Sequence, residues 1–116
     1  MALVFFDTGS ARLDQQAEQT VRAAAFHLRC RDTGRIEVTG NTDRSGSEAS
    51  NQRLSIQRAD AVRDALVAYG VHKDVLIVRG AGENDPLVPT ADGVSERQNR
   101  WALIYDPSPE ICPDPI

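Results

Sequence analysis

One arginine stands where an apolar side chain belongs. Between residues 47 and 69 apolar positions recur at helical spacing, and Gly70 follows where a helix-ending glycine is expected. Projected at about 100° per residue from Asn51, the side chains of Leu54, Ala61, Val62, Ala65, Leu66 and Tyr69 fall within about 80° of one line. Arg58 and Ser55 fall there too, while Arg53, Gln57, Asp60, Arg63 and Asp64 take the opposite side. A guanidinium aimed at a core keeps its charge and must find acceptors, because an unpaired buried charge is costly. The first half of this helix therefore faces something polar, and the second half faces a core.

The rest of the chain supplies partners for that helix. Leu3–Phe6 is a short apolar run of strand length, followed by a turn at 7–10. Leu13, Ala17, Val21, Ala24, Ala25 and Leu28 recur at helical spacing with Asp14 as the N-cap, and Asp32-Thr33-Gly34 ends the pattern. Ile36–Thr39 alternates as a strand with one buried face. Val75–Val78 and Trp101–Tyr105 read as two more strands, separated by a Gly-, Pro- and Asp-rich loop over 80–98. The order β-α-β-α-β-β gives an α+β fold, an α/β sandwich in which two main helices pack on one face of a four-stranded mixed sheet. Residues 1–106 form one domain, and the Pro-rich tail over 107–116 is an extended appendage.

Composition removes several function classes. The 116 residues carry 13 Lys and Arg against 17 Asp and Glu, a net charge of -4. The basic face of a nucleic-acid binder is therefore not expected. No run approaches the ~18 apolar residues of a membrane-spanning helix. His27 and His72 lack acidic or thiol partners at metal spacing, so neither a metal nor a cofactor is expected. Glu83 and Asp85 lie in turn-rich sequence and do not form a hydrolase pair. Ser45 and Ser47 beside Gly46 have no base, and Gly80-Ala81-Gly82 is too short to hold a phosphate. Nothing points to an enzyme. Cys30 and Cys112 are either two buried thiols or one long-range disulfide.

What remains is the loop before the long helix, Asn41-Thr42-Asp43-Arg44-Ser45-Gly46. A strand-to-helix junction is where ligands collect in α/β units. Asp43 and Arg58 are either an ion pair stitching loop to helix or two arms of a site for a zwitterion, with Arg58 forking onto a carboxylate and Asp43 taking an ammonium.

At these residues the chain resembles a known family. Thr42-Asp43-Arg44-Ser45-Gly46-Ser47, then Asn51, Leu54-Ser55 and Arg58-Ala59, are similar to the TD-x-x-G-S…N-x-x-L-S-x-x-R-A signature of OmpA-like, peptidoglycan-binding C-terminal domains. Phe5-Phe6-Asp7-Thr8-Gly9-Ser10, Gly80-Ala81-Gly82-Glu83 with Pro86, and Asn99-Arg100 extend the likeness over most of the chain. The resemblance implies non-covalent, non-catalytic binding of peptidoglycan through meso-diaminopimelate of the stem peptide. Asp43 would meet its ammonium and Arg58 its carboxylate, with Asp7, Thr42, Asn51 and Arg100 lining the pocket. Main-chain N–H groups over 42–47 would add donors, and Arg44, Arg53, Arg58 and Arg100 would make the site less acidic than the domain. It further implies a periplasmic domain that anchors a membrane-associated parent of the outer membrane or cell envelope through a preceding region, with self-association left open. Three positions depart from the pattern. Asn41 replaces a His, Ser50 an aromatic, and Trp101 the second Arg of N-R-R-V. These departures motivate the alternative, a protein-interaction or assembly domain that kept the fold but no longer binds cell wall.

Overall fold

A computed structural model describes residues 2–31 and 34–107. Its elements are β1 (Ala2–Phe5), α1 (Gln15–Leu28), β2 (Ile36–Gly40), α2 (Glu48–Ala68), β3 (Leu76–Gly80) and β4 (Trp101–Tyr105), with short 3₁₀ turns at Lys73–Val75 and Arg97–Asn99. The expected α+β sandwich is what forms: two helices over a four-stranded mixed sheet.

α1 begins at the cap the sequence places, Asp14, and α2 begins at a cap that the structure adds, Ser47. The Asp14 carboxylate accepts the Ala17 N–H at 2.8 Å, and the Ser47 hydroxyl accepts the Ser50 N–H at 3.1 Å. Gly70, at φ +102°, lets the chain leave α2 in the left-handed region. The strand order is β1-β4-β2-β3, with β4 antiparallel to both neighbours and β2 parallel to β3. β1, β2 and β3 therefore all run the same way. Their C-terminal ends, the start of β4 and the start of α2 meet at one edge of the sheet, and that edge carries the site.

One core lies between the sheet and the two helices. Val4, Phe6, Ile36, Val38, Ala102 and Ile104 face Ala17, Val21, Ala25 and Leu28 of α1 and Ala59, Val62 and Leu66 of α2. The buried line of α2 runs Asn51, Ser55, Arg58, Ala59, Val62 and Leu66. It is rotated slightly from the projected stripe, so Leu54, Ala61, Ala65 and Tyr69 sit on its flank. Gly40 brings β2 against α2, since a Cβ there would collide with the Ser55 main chain. Glycine at this position thus sets how close the helix lies to the site-bearing strand.

Two local features of the strands have simple causes. β3 extends to Gly80 because each of its residues pairs in register with β2, while Val75 is taken into the preceding 3₁₀ turn. Trp101 is buried, yet it stands outside the helix-side core: Ala102 and Ile104 hold that face, and strand alternation turns Trp101 the other way. Cys30 is disulfide-bonded and exposed, so the buried-thiol alternative does not apply to it. Cys112 and the tail beyond residue 107 lie outside the described residues.

Candidate ligand site

Arg58 sits at the middle of α2 with 0% of its surface exposed. Its guanidinium donates to three main-chain carbonyls: Nε to Ser10 at 2.9 Å, Nη1 to Asn41 at 2.9 Å and Nη2 to Asp7 at 2.9 Å. The Phe6 ring lies 5.2 Å from the guanidinium carbon, so a quadrupole partner covers one face of the cation. Burial lowers the Arg58 pKa from its usual value to about 10, against the favourable field of Asp43, and the side chain stays charged at neutral pH. One side chain thus ties the β1–α1 loop to the β2–α2 loop.

The ion pair between Asp43 and Arg58 that the sequence leaves open is not formed. Asp43 pairs instead with Arg100, Nη1 to Oδ2 at 3.0 Å. Its carboxylate, also buried, accepts four further bonds: the Ser45 N–H at 3.2 Å and hydroxyl at 2.5 Å on Oδ1, and the Glu96 N–H at 3.1 Å and Ser95 hydroxyl at 3.3 Å on Oδ2. Burial by itself would raise the Asp43 pKa. The donors from Ser45, Arg100 and Glu96 more than offset that and hold it below its usual 3.8. The physical reason for the change of partner is geometric. Arg58 is turned onto carbonyls that no sequence pattern announces, and Arg100 enters from the start of β4, where its Nε also caps the Phe6 carbonyl at 3.0 Å.

Asn51 joins the β2–α2 loop to the loop after β3: its Nδ2 donates to the Asp43 carbonyl at 3.3 Å and to Glu83 Oε1 at 3.2 Å. The Thr42 side chain is buried, and its N–H is taken by the Gly82 carbonyl at 2.9 Å. Asp7 is exposed and contributes its carbonyl to Arg58. Asp43, Arg58, Asn51, Thr42, Arg100 and the Asp7 main chain therefore share one end of the sheet. Two expectations about their surroundings are corrected. Arg44 does not supply free positive charge, because it pairs with Glu83 at 2.9 Å and with Asp92. Two of the N–H groups expected to be available over 42–47, those of Thr42 and Ser45, are already used within the protein.

Residues without a sequence signal complete the site. Ser10 and Asn41 enter through their carbonyls, and Ser95 and Glu96 reach Asp43 from the loop before β4. Asn99, fully buried, holds that loop in place by bonding the Val88 main chain in both directions, at 2.7 and 2.8 Å. Among the described residues no group of three or more His, Cys, Asp or Glu could hold a metal ion, and no helix is long and apolar enough to cross a membrane.

The sequence profile of the OmpA family matches residues 5–100, which takes in every residue of this site. The chain belongs to the OmpA family. It is 40% identical over 108 residues to an outer membrane protein of Gluconacetobacter diazotrophicus, covering 88% of this chain and 29% of the relative. It is 37% identical over 97 residues to outer membrane protein A of Shimwellia blattae, covering 81% of this chain and 40% of the relative. This OmpA-family chain thus spans less than half the length of these relatives. Among solved structures, the peptidoglycan-associated lipoprotein of Burkholderia pseudomallei superposes with a TM-score of 0.81 at 31% identity, covering 90% of this chain and 88% of that one. The C-terminal domain of Helicobacter pylori MotB gives 0.77 at 21% identity, covering 90% and 83%, a likeness of fold.

Proposed function

We propose that this domain binds peptidoglycan non-covalently and without catalysis, gripping diaminopimelate of the stem peptide, and so anchors a parent envelope protein in the periplasm. The observation that carries this reading is the gathering of Asp43, Arg58, Arg100 and Asn51 at one sheet edge of an OmpA-family fold, beside a structural relative whose name records association with peptidoglycan. A guanidinium has five N–H groups, and Arg58 spends three on carbonyls. The other two, with Nη2 of Arg100, suit a ligand carboxylate. The ammonium would replace the longest donor on Asp43, the Ser95 hydroxyl. One grip of this size supports an affinity on the order of micromolar or weaker, strengthened when several copies meet the same wall.

The protein is expected to sediment with insoluble peptidoglycan containing diaminopimelate, and Asp43→Ala to remain in the supernatant. Peptidoglycan with lysine at that stem position should bind at least tenfold more weakly, because it lacks the carboxylate for the arginines. Titration with a diaminopimelate tripeptide should shift the amide resonances of 42–46, Asn51 and Arg100. The competing reading, an assembly domain that no longer binds cell wall, draws on the saturation of Asp43 by five protein donors. Absence of both sedimentation and shifts would establish it and sink the first.

A further inference from the structure

The sheet edge that holds Asp43 and Arg58 is where α1 and α2 begin, so both helices end at the opposite edge. There α1 presents a stripe unrelated to the site just described. Arg22, Phe26 and Arg29 follow at i, i+4 and i+7 on one exposed face, Arg29 being the helical C-cap. Each guanidinium lies over an aromatic ring: Arg29 at 4.7 Å from the centre of Phe26, and Arg22 at 5.4 Å from that of Tyr69. Phe26 is 36% exposed and also meets the edge of the His27 ring.

Stacking occupies the face of a guanidinium and leaves its in-plane N–H groups free, while the ring limits where they point. The nearest carboxylate one turn away, Glu18, is taken by the Tyr69 hydroxyl at 2.5 Å. Among the described residues no carboxylate lies within ion-pair distance of Arg22 or Arg29, as is also true of Arg12, Arg53, Arg79 and Arg97; what distinguishes α1 is two such cations on one helix face, either side of an exposed ring. In a chain of net charge -4, this helix face thus places two ring-stacked cations around an exposed aromatic and offers a local positive stripe.

We propose that this stripe of α1 is a docking surface for an acidic segment of another protein. At a rise of about 1.5 Å per residue, Arg22 and Arg29 stand about 10 Å apart along the helix. The matching segment presents two carboxylates at that spacing with an aliphatic or aromatic side chain between them, as a helix does with Glu at i and i+7 and Leu at i+3 or i+4. Each carboxylate takes one guanidinium fork, and the apolar residue covers Phe26. A protein partner fits better than a bilayer. The stripe is one side chain wide, and the negative balance of the rest of the domain opposes approach to an anionic membrane.

The probe is a labelled synthetic helix with two glutamates seven residues apart and a leucine between them, followed by fluorescence anisotropy on the whole chain. Binding is expected, weakened about fivefold by each of Arg22→Gln and Arg29→Gln, more by the double variant, and by added salt. Phe26→Ser should weaken it as well. These exposed substitutions should leave the melting temperature and peptidoglycan sedimentation unchanged, so the result stands apart from the cell-wall reading. A control peptide with glutamines should not bind. No anisotropy change up to millimolar peptide, or equal binding by the double variant, overturns the proposal. So does binding to phosphatidylglycerol vesicles without binding to the peptide, which would assign the stripe to a membrane surface.

Discussion

Arg58→Ala is expected to destabilise the domain by about 4 kcal/mol, lowering the melting temperature by roughly 15–25 °C. The change strands three carbonyls, those of Asp7, Ser10 and Asn41, that now accept at 2.9 Å, and leaves a cavity beside Phe6. Buried acceptors without donors cost about 1–3 kcal/mol each, reduced where water enters the vacated space. Domains of this kind have only about 5–15 kcal/mol in hand. Arg58→Met separates the two contributions by keeping much of the stem volume while removing every donor. Arg58→Lys retains the charge but offers a compact ammonium that cannot reach three carbonyls set in different directions. Thermal unfolding by circular dichroism should rank the parent above both, and both above Arg58→Ala. If Arg58→Met were as stable as the parent, the carbonyls would not be what this arginine serves. The rank also governs how cell-wall assays are read, because lost sedimentation in an Arg58 variant counts against the ligand grip only when the variant is folded at the assay temperature.

The inward arginine was legible because helical periodicity is local. Leu54 and Val62, four residues either side, force Arg58 toward the sheet whatever lies there. The Asp14 cap was legible for the same reason, as it acts on an N–H group three residues on. What Arg58 would find was not legible. Its acceptors are main-chain carbonyls, and every residue but proline offers one, so side-chain identity at Ser10 or Asn41 carries no signal. The pairing of Asp43 failed differently. Arg58 is 15 positions away and Arg100 is 57, and the nearer cation looked the better partner. The antiparallel placement of β4 between β1 and β2 delivers Arg100 to the same edge, and topology of that kind is not contained in a local pattern. The loop over 80–98 was legible from its Gly, Pro and Asp content, but the residues that fix it act through contacts across the fold: Asn99 on Val88, and Arg44 on Glu83 and Asp92. The face of Trp101 depends on strand register, where a slip of one residue exchanges core for exterior.

Asp43→Asn is expected to cost about 3 kcal/mol and, more tellingly, to flatten the acid limb of the stability curve. The carboxylate joins three segments: its own loop through Ser45, the loop before β4 through Ser95 and Glu96, and the start of β4 through Arg100. Asparagine keeps the shape but replaces one oxygen with a donor, which faces Ser45 or the Glu96 N–H and Arg100 with the wrong polarity. The sign of the pH effect follows from the direction of the shift. The folded-state pKa of Asp43 lies below the 3.8 of the free side chain, so its contribution is fully present above about pH 4 and disappears as the pH falls through the lowered value. The parent should lose stability across that acid interval, and Asp43→Asn should lose correspondingly less, so the two curves converge at the acid end. Urea titrations at stepped pH measure this directly, and curves that stay parallel down to pH 2 would remove Asp43 from the buried network. A ligand ammonium that adds a favourable charge to Asp43 deepens the depression further. Bound diaminopimelate peptide should therefore protect the parent against acid more than it protects Asp43→Asn, joining the stability of the fold to occupation of the site in a single measurement.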